Sequence, residues 1–125
     1  MVKVEDMIFT RTEEGTLIAQ EVELESIEGK PKVKLRPLTR GKLQEIYAQA
    51  QSVDAAEKAK ADSMIIKEGL VEPVMTEEQI ADMKPNWAGA LSVAILSVSL
   101  GISQEDVGNQ AQEVIANQEI ELKKK

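Results

Sequence analysis

From Thr16 to Glu25 apolar and charged positions alternate, with Ile18, Val22 and Leu24 on one face and Glu21, Glu23 and Glu25 on the other. A period of two marks a strand with one buried side. Lys32 to Leu38 alternates in the same way, setting Val33 and Leu35 against Lys32, Lys34 and Arg36. With Glu28-Gly29 as a turn between them, the two segments predict an antiparallel hairpin over residues 16–38. A two-residue loop there opposes Glu25 to Lys32, Glu23 to Lys34 and Glu21 to Arg36, and pairs Leu24 and Val22 with Val33 and Leu35. Ahead of the hairpin, residues 1–15 carry charge and Gly15 without a sustained period. They read as a loosely ordered arm with a short strand at Met7 to Phe9.

After Pro37 the period changes from two to that of a helix. Thr39 is a cap, with Leu38 before it and Leu43 after it at the spacing of a hydrophobic staple. Leu43, Ile46, Tyr47, Ala50 and Val53 then repeat at three and four. Asp54 and Glu57 form a second capping-box pattern, which favours a break near Ser52 before an alanine-rich helix to Glu68, with Gly69 as its stop. Leu70 to Met75, containing Pro73, reads as a connector. Thr76 and Gln79 open a short helix with Ile80 and Met83 inside, ended by Lys84-Pro85-Asn86. Asn86 is placed to cap the next helix, Trp87 to Leu100, which is apolar around nearly its whole circumference. Gly101 closes it, and Ser103 caps a last helix with Ile102 and Val107 as a staple and Val107, Ala111, Val114 and Ile115 as its stripe. The end from Asn117 to Lys125 is polar apart from Ile120 and Leu122 and is expected to fray. The predicted fold is therefore α+β and mostly helical: a small antiparallel sheet followed by four or five helices over 39–118, in a single domain spanning 16–125.

Composition narrows the function classes. The 125 residues, 42% apolar and 30% charged, are ordinary for one globular domain. Neither cysteine nor histidine is present, which removes the usual nucleophile, the usual general base and the commonest transition-metal ligands. No glycine-rich phosphate loop and no calcium loop occurs. The pairs Glu77-Glu78 and Glu105-Asp106 fall at helix starts, where negative charge favours the helix dipole. No enzyme activity, cofactor, metal or small-molecule substrate is expected. The first residues do not read as a secretion signal, and the apolar run Trp87 to Ile102 is interrupted and shorter than the ~20 residues of a membrane span. A net charge of −7 and only three aromatic residues argue against a nucleic-acid partner. The basic cluster from Lys30 to Lys42 is explained by cross-strand pairing with the glutamates of the first strand.

What remains is protein binding. The helix from Trp87 to Leu100 is first of all a core helix, but a domain this small has few elements with which to cover it. One flank, carrying Trp87, Ala90, Leu91, Ala94, Ile95 and Val98, is the candidate surface for a second copy of the chain or an apolar helix of another protein, with Ala90 and Ala94 permitting close approach. A polar rim of Gln44, Gln49, Gln51, Lys58 and Lys60 is a second candidate that surface solvation explains equally well.

The acidic strand, Lys32-Val33-Lys34-Leu35-Arg36-Pro37-Leu38-Thr39-Arg40, the amphipathic helix, and Met83-Lys84-Pro85-Asn86-Trp87 leading an apolar helix to Gly101-Ile102-Ser103 together resemble tail assembly chaperones of long-tailed bacteriophages and prophage elements. The resemblance covers residues 16 to 115 and rests on apolar pattern and caps. It implies a non-enzymatic role in virion assembly: binding the tape measure protein, keeping its hydrophobic helices soluble while the tail tube forms, and acting in the host cytoplasm without entering the mature virion. It also implies a longer frameshifted product, for which Lys123-Lys124-Lys125 offers a candidate adenine run, although a solvating lysine tail is the commoner explanation. The competing classes are an acidic regulatory adaptor for a basic protein and a structural subunit of the particle.

Overall fold

The computed structural model describes residues 1–109, the side chains of Lys58, Ala59 and Asp62 excepted. Strand β1 (Gln20–Glu23) pairs antiparallel with β2 (Lys32–Leu35), as the alternation predicts. The register, however, sets Glu23 opposite Lys32, Val22 opposite Val33 and Glu21 opposite Lys34, two residues away from the expected one. The cause is Ile27. In a two-residue loop its side chain would project onto the solvated face beside the glutamates. Instead two successive turns, closed by Ile27 N–H to Leu24 O (3.2 Å) and Lys30 N–H to Ile27 O (3.0 Å), tuck Ile27 into the core. Gly29 at φ +83° and Lys30 at φ +46° supply the left-handed backbone of the second turn. A shift of two preserves the faces, so Leu24, Val33 and Leu35 remain buried.

The predicted charge pairs change with the register. Lys32 reaches Glu21 diagonally at 3.5 Å, and Lys34 reaches Glu72 at 3.8 Å. Both pairs are exposed and contribute about 0–1 kcal/mol each. Glu72 belongs to a third strand, β3 (Leu70–Glu72), in the segment expected to be only a connector; it pairs antiparallel with β2, giving the order β1-β2-β3. Arg36 does not meet Glu21. Its Nε donates to Glu68 O at 2.6 Å and its backbone N–H to Gly69 O at 2.9 Å, which leads the chain from helix into β3.

The local helix signals are largely realised. Thr39 caps α2 (Arg40–Ala50) by accepting from Lys42 N–H at 3.2 Å. The chain breaks around Ser52, and Asp54 caps α3 (Ala55–Gly69) by accepting from Ala56 N–H at 2.9 Å. Glu57 does not complete a box; it accepts from Gln49 Nε2 at 3.2 Å and ties α3 to α2. Gly69 is not a left-handed stop, because it is the last residue of α3 and Leu70 continues in extended conformation. Its requirement is spatial: a Cβ there would stand 2.6 Å from Ile95 Cγ2 and 2.8 Å from Cδ1. Thr76 and Gln79 form the reciprocal capping box of α4 (Glu77–Ala81). Helix α5 (Pro85–Leu100) starts earlier than expected, since Pro85 fits a first helical turn and Lys84 takes the cap position; Asn86 lies inside the helix rather than capping it. Gly101 at φ +70° closes α5.

Residues 104–109 begin the last helix, with Ser103 Oγ accepting from Asp106 N–H at 3.1 Å and Val107 buried. Ala111, Val114, Ile115 and the polar end from Asn117 lie outside the described residues. Gln104 accepts from Glu25 N–H (3.3 Å) and donates to Glu23 O (2.7 Å), so its amide reads the open edge of β1 as a neighbouring strand would. The core lies between the sheet and α2, α3 and α5, with Leu24, Leu35, Ile46 and Ile95 fully enclosed. Each such side chain contributes roughly 1.5–3 kcal/mol. The arm holds a single helical turn, α1 (Val4–Met7), and no strand at Met7 to Phe9. Behind it, a tight loop closes through Thr12 N–H to Thr16 O at 2.7 Å and Arg11 Nη1 to Gly15 O at 2.7 Å. No helix among the described residues is long and apolar enough to cross a membrane.

Candidate protein-docking groove

Of the six residues singled out on the apolar helix, Ala90, Leu91, Ala94 and Ile95 are buried in the core, and Trp87 and Val98 are half-buried on its flanks. A partner reaches that helix through Trp87 and Val98 alone among the six. Trp87 packs against the core cluster, so its ring is largely committed to the fold. In the polar rim, Gln49 is held by Glu57, and Gln44 lines a different feature, a groove of about 1060 Å³ between the arm, the start of α2 and the end of α5.

Three stretches distant in sequence build this groove. The chain leaves α1 at Ile8 in extended conformation (φ −121°, ψ 156°), which lays Met7, Ile8 and Phe9 along one wall. The opposite wall is the first half of α2, where Leu43 and Tyr47 stand one turn apart beside the buried Ile46, Leu43 being itself partly packed against the core. Leu100 closes the end. Ser99 fixes the end of α5 to the start of α2: its Oγ accepts from Leu38 N–H at 2.7 Å and donates to Ile95 O at 2.7 Å, satisfying a backbone donor just before α2 that no helix turn would. The apolar lining is open to water. Met7 is 70% exposed, Ile8 63% and Tyr47 52%. An apolar cluster left open in this way marks an interaction surface more often than a scattered exposed leucine does.

The groove's polar edge carries charges of both signs, Glu5 from the arm beside Arg11 and Arg40. Arg11 and Arg40 both line it, and neither forms an ion pair among the described residues. Neighbouring Lys42, by contrast, is paired with Glu45 at 3.0 Å and faces Glu68 at 4.0 Å. The hydrogen bond it donates to Glu45, then the charge of Glu68, raise its pKa above 10.5. A smaller cleft of about 410 Å³ lies beside α3 and α4, where Lys67 and Glu77 are joined by a short ion pair. That contact raises the Lys67 pKa above 10.5 and lowers that of Glu77 below 4.5, chiefly through the hydrogen bond they share. Among the described residues there is no buried charged side chain and no group of three or more metal-ligating side chains.

The sequence reading missed the groove because its walls are not one periodic segment. The available signal was the arm itself, in which Met1, Val2, Val4, Met7, Ile8 and Phe9 crowd nine residues without a charged face to make them a core strand. No family model, curated protein or solved structure matches the chain.

Proposed function

We propose that this chain is a non-enzymatic binding domain that shelters an apolar helix of another protein, and specifically a tail assembly chaperone whose client is the tape measure protein. The observation that supports this is the open groove walled by Met7, Ile8, Phe9, Leu43, Tyr47 and Leu100. About 1060 Å³ holds roughly two turns of a helix about 10 Å across. Apolar anchors in a groove are the way amphipathic helices are recognised, read at spacings of three and four residues along the bound helix. On this reading the protein acts in the host cytoplasm before the particle is complete and leaves before maturation.

The test is co-expression with the longest helical protein encoded nearby, scoring that protein's solubility and co-purification. A complex that forms with the wild-type chain, resists high salt and is lost in Tyr47→Glu supports the proposal, with circular dichroism showing that the variant is folded. A long protein whose solubility is unchanged and that does not co-purify defeats it.

A further inference from the structure

The arm that walls the groove, residues 1–9, is tied to the domain only through its C-terminal end. Among the described residues its hydrogen bonds are all internal: Lys3 N–H donates to Asp6 Oδ2 at 3.1 Å and Asp6 N–H to Lys3 O at 3.0 Å. No ion pair among the described residues leaves it either. Its base is firm by contrast. Behind Phe9 the loop from Thr10 to Ile18 is closed by Ile18 N–H to Thr10 O at 3.4 Å and by the bonds of Thr12 with Thr16 and of Arg11 with Gly15. Exposure falls toward that base, from 70% at Met7 and 63% at Ile8 to 37% at Phe9. A swing of the arm about Phe9 and Thr10 therefore breaks no hydrogen bond to the body and few apolar contacts, the condition under which a segment moves at low cost.

Two forces favour such a swing toward α2. Met7 and Ile8 face Leu43, Tyr47 and Leu100 across an open groove, and bringing the walls together removes apolar surface from water on both. Glu5 of the arm and Arg40 at the first position of α2 both line the groove, are opposite in charge, and form no ion pair among the described residues.

We propose that the arm is a strap: without a client it closes onto α2 of its own chain, setting Met7 and Ile8 against Leu43, Tyr47 and Leu100 and Glu5 against Arg40, and a client helix enters when the strap opens. The inference rests on the groove being the docking surface proposed above, and not on the identity of the client. Both walls belong to one chain, so closure needs no second copy. The closed strap keeps the lining out of water when no client is present. It also lowers the apparent client affinity by the fraction of chains that stand open.

Tyr47 is the only tyrosine of the chain, so a fluorotyrosine label places a single fluorine probe in the groove. Its NMR shift difference between light and heavy water measures solvent contact. In the client-free chain that difference should be small, and both Met7→Asp and Arg40→Glu should raise it. Glu5→Arg added to Arg40→Glu should lower it again, because the swapped pair attracts as the original does. The purified client should bind the Arg40→Glu chain up to about fivefold more tightly than wild type, the most an exposed ion pair gives, and bind the swapped chain as wild type does. A direct contact of Arg40 with the client would not be restored by a change in the arm. A probe as solvated in the wild type as in Met7→Asp and Arg40→Glu, or a signal that follows protein concentration, overturns the inference and leaves the proposed function standing. Closure in the fluorine signal with client affinity untouched by the charge variants overturns the groove as the docking surface, and with it the proposed function, but not the strap.

Discussion

The junction of Gly69 with Ile95 and the groove beneath the arm are built from the same kinds of side chain and differ in what fills the space between them. At the junction there is no room for one added methyl group, and Ile95 has no exposed surface. In the groove Leu43, Tyr47 and Leu100 stand across about 1060 Å³ from Met7 and Ile8. Hydrophobic residue type therefore does not separate core from surface in this chain; closure does. Water exclusion at the junction stabilises the fold, whereas the apolar groups of the groove still have that free energy to release to whatever covers them.

The largest contrast should come from placing a charge in each region. Leu91→Asp buries an unpaired carboxylate beside Ala94 and Ile95 and should abolish the cooperative thermal transition, because an uncompensated buried charge costs several kcal/mol. Tyr47→Glu should stay within about 0.5 kcal/mol of wild type in the same melts. If both variants melt alike, the two regions are not distinct. Next, Gly69→Ala should cost about 1–3 kcal/mol through the clash with Ile95. Ile95→Ala alone should cost about 2–5 kcal/mol, yet in the Gly69→Ala background it should cost less, because Cγ1, Cγ2 and Cδ1, the atoms an added Cβ would strike, are gone, a coupling that a urea double-mutant cycle detects.

Comparable in size to Gly69→Ala is Ser99→Ala. It leaves Leu38 N–H without its acceptor at a cost of about 1–3 kcal/mol, and it should accelerate hydrogen exchange at that amide while leaving the Gly69 side of the core protected. The smallest effect is Lys67→Ala. Glu77 titrates below 4.5 in the folded chain, so its share of stability is present above that value and lost as pH falls through the lowered one; Lys67 contributes below 10.5 and loses its share as pH rises through its raised value. The variant should therefore differ from wild type by a constant, small amount between those limits, and NMR should show the Glu77 carboxyl titrating closer to 4.5.

Signals carried by neighbours in sequence were legible: Thr39, the Thr76 and Gln79 box, Gly101 and Ser103 act within a single turn and need no knowledge of the rest of the chain. So was the α+β architecture, since the change of period after Pro37 is local too. The hairpin register was not, because the burial of Ile27 depends on what lies under the loop. Nor was β3, for Leu70-Val71-Glu72 is too short to alternate and becomes a strand by pairing with β2. Gly69 does end α3, as the sequence suggests, but what requires glycine there is a side chain 26 positions later, as Ile95 minus Gly69 counts. Among the candidate site residues, apolarity alone drew attention to Ala90, Leu91, Ala94 and Ile95, which the fold encloses. The open groove is assembled from the arm, α2 and the end of α5, and no window along the chain spans all three.

The side-chain amide of Gln104 holds the open edge of β1 across a separation of 81 and 79 residues from Glu23 and Glu25. During synthesis that edge, with its unanswered N–H and C=O groups, is present long before residue 104 leaves the ribosome. Nascent chains on one message carry identical, simultaneously exposed edges, and strand edges are the surfaces through which incomplete chains pair wrongly. The glutamates at Glu21 and Glu23 give like-charged edges a mutual repulsion in that interval, and in the folded domain Gln104 answers the backbone of Glu23 and Glu25 at one end of that edge.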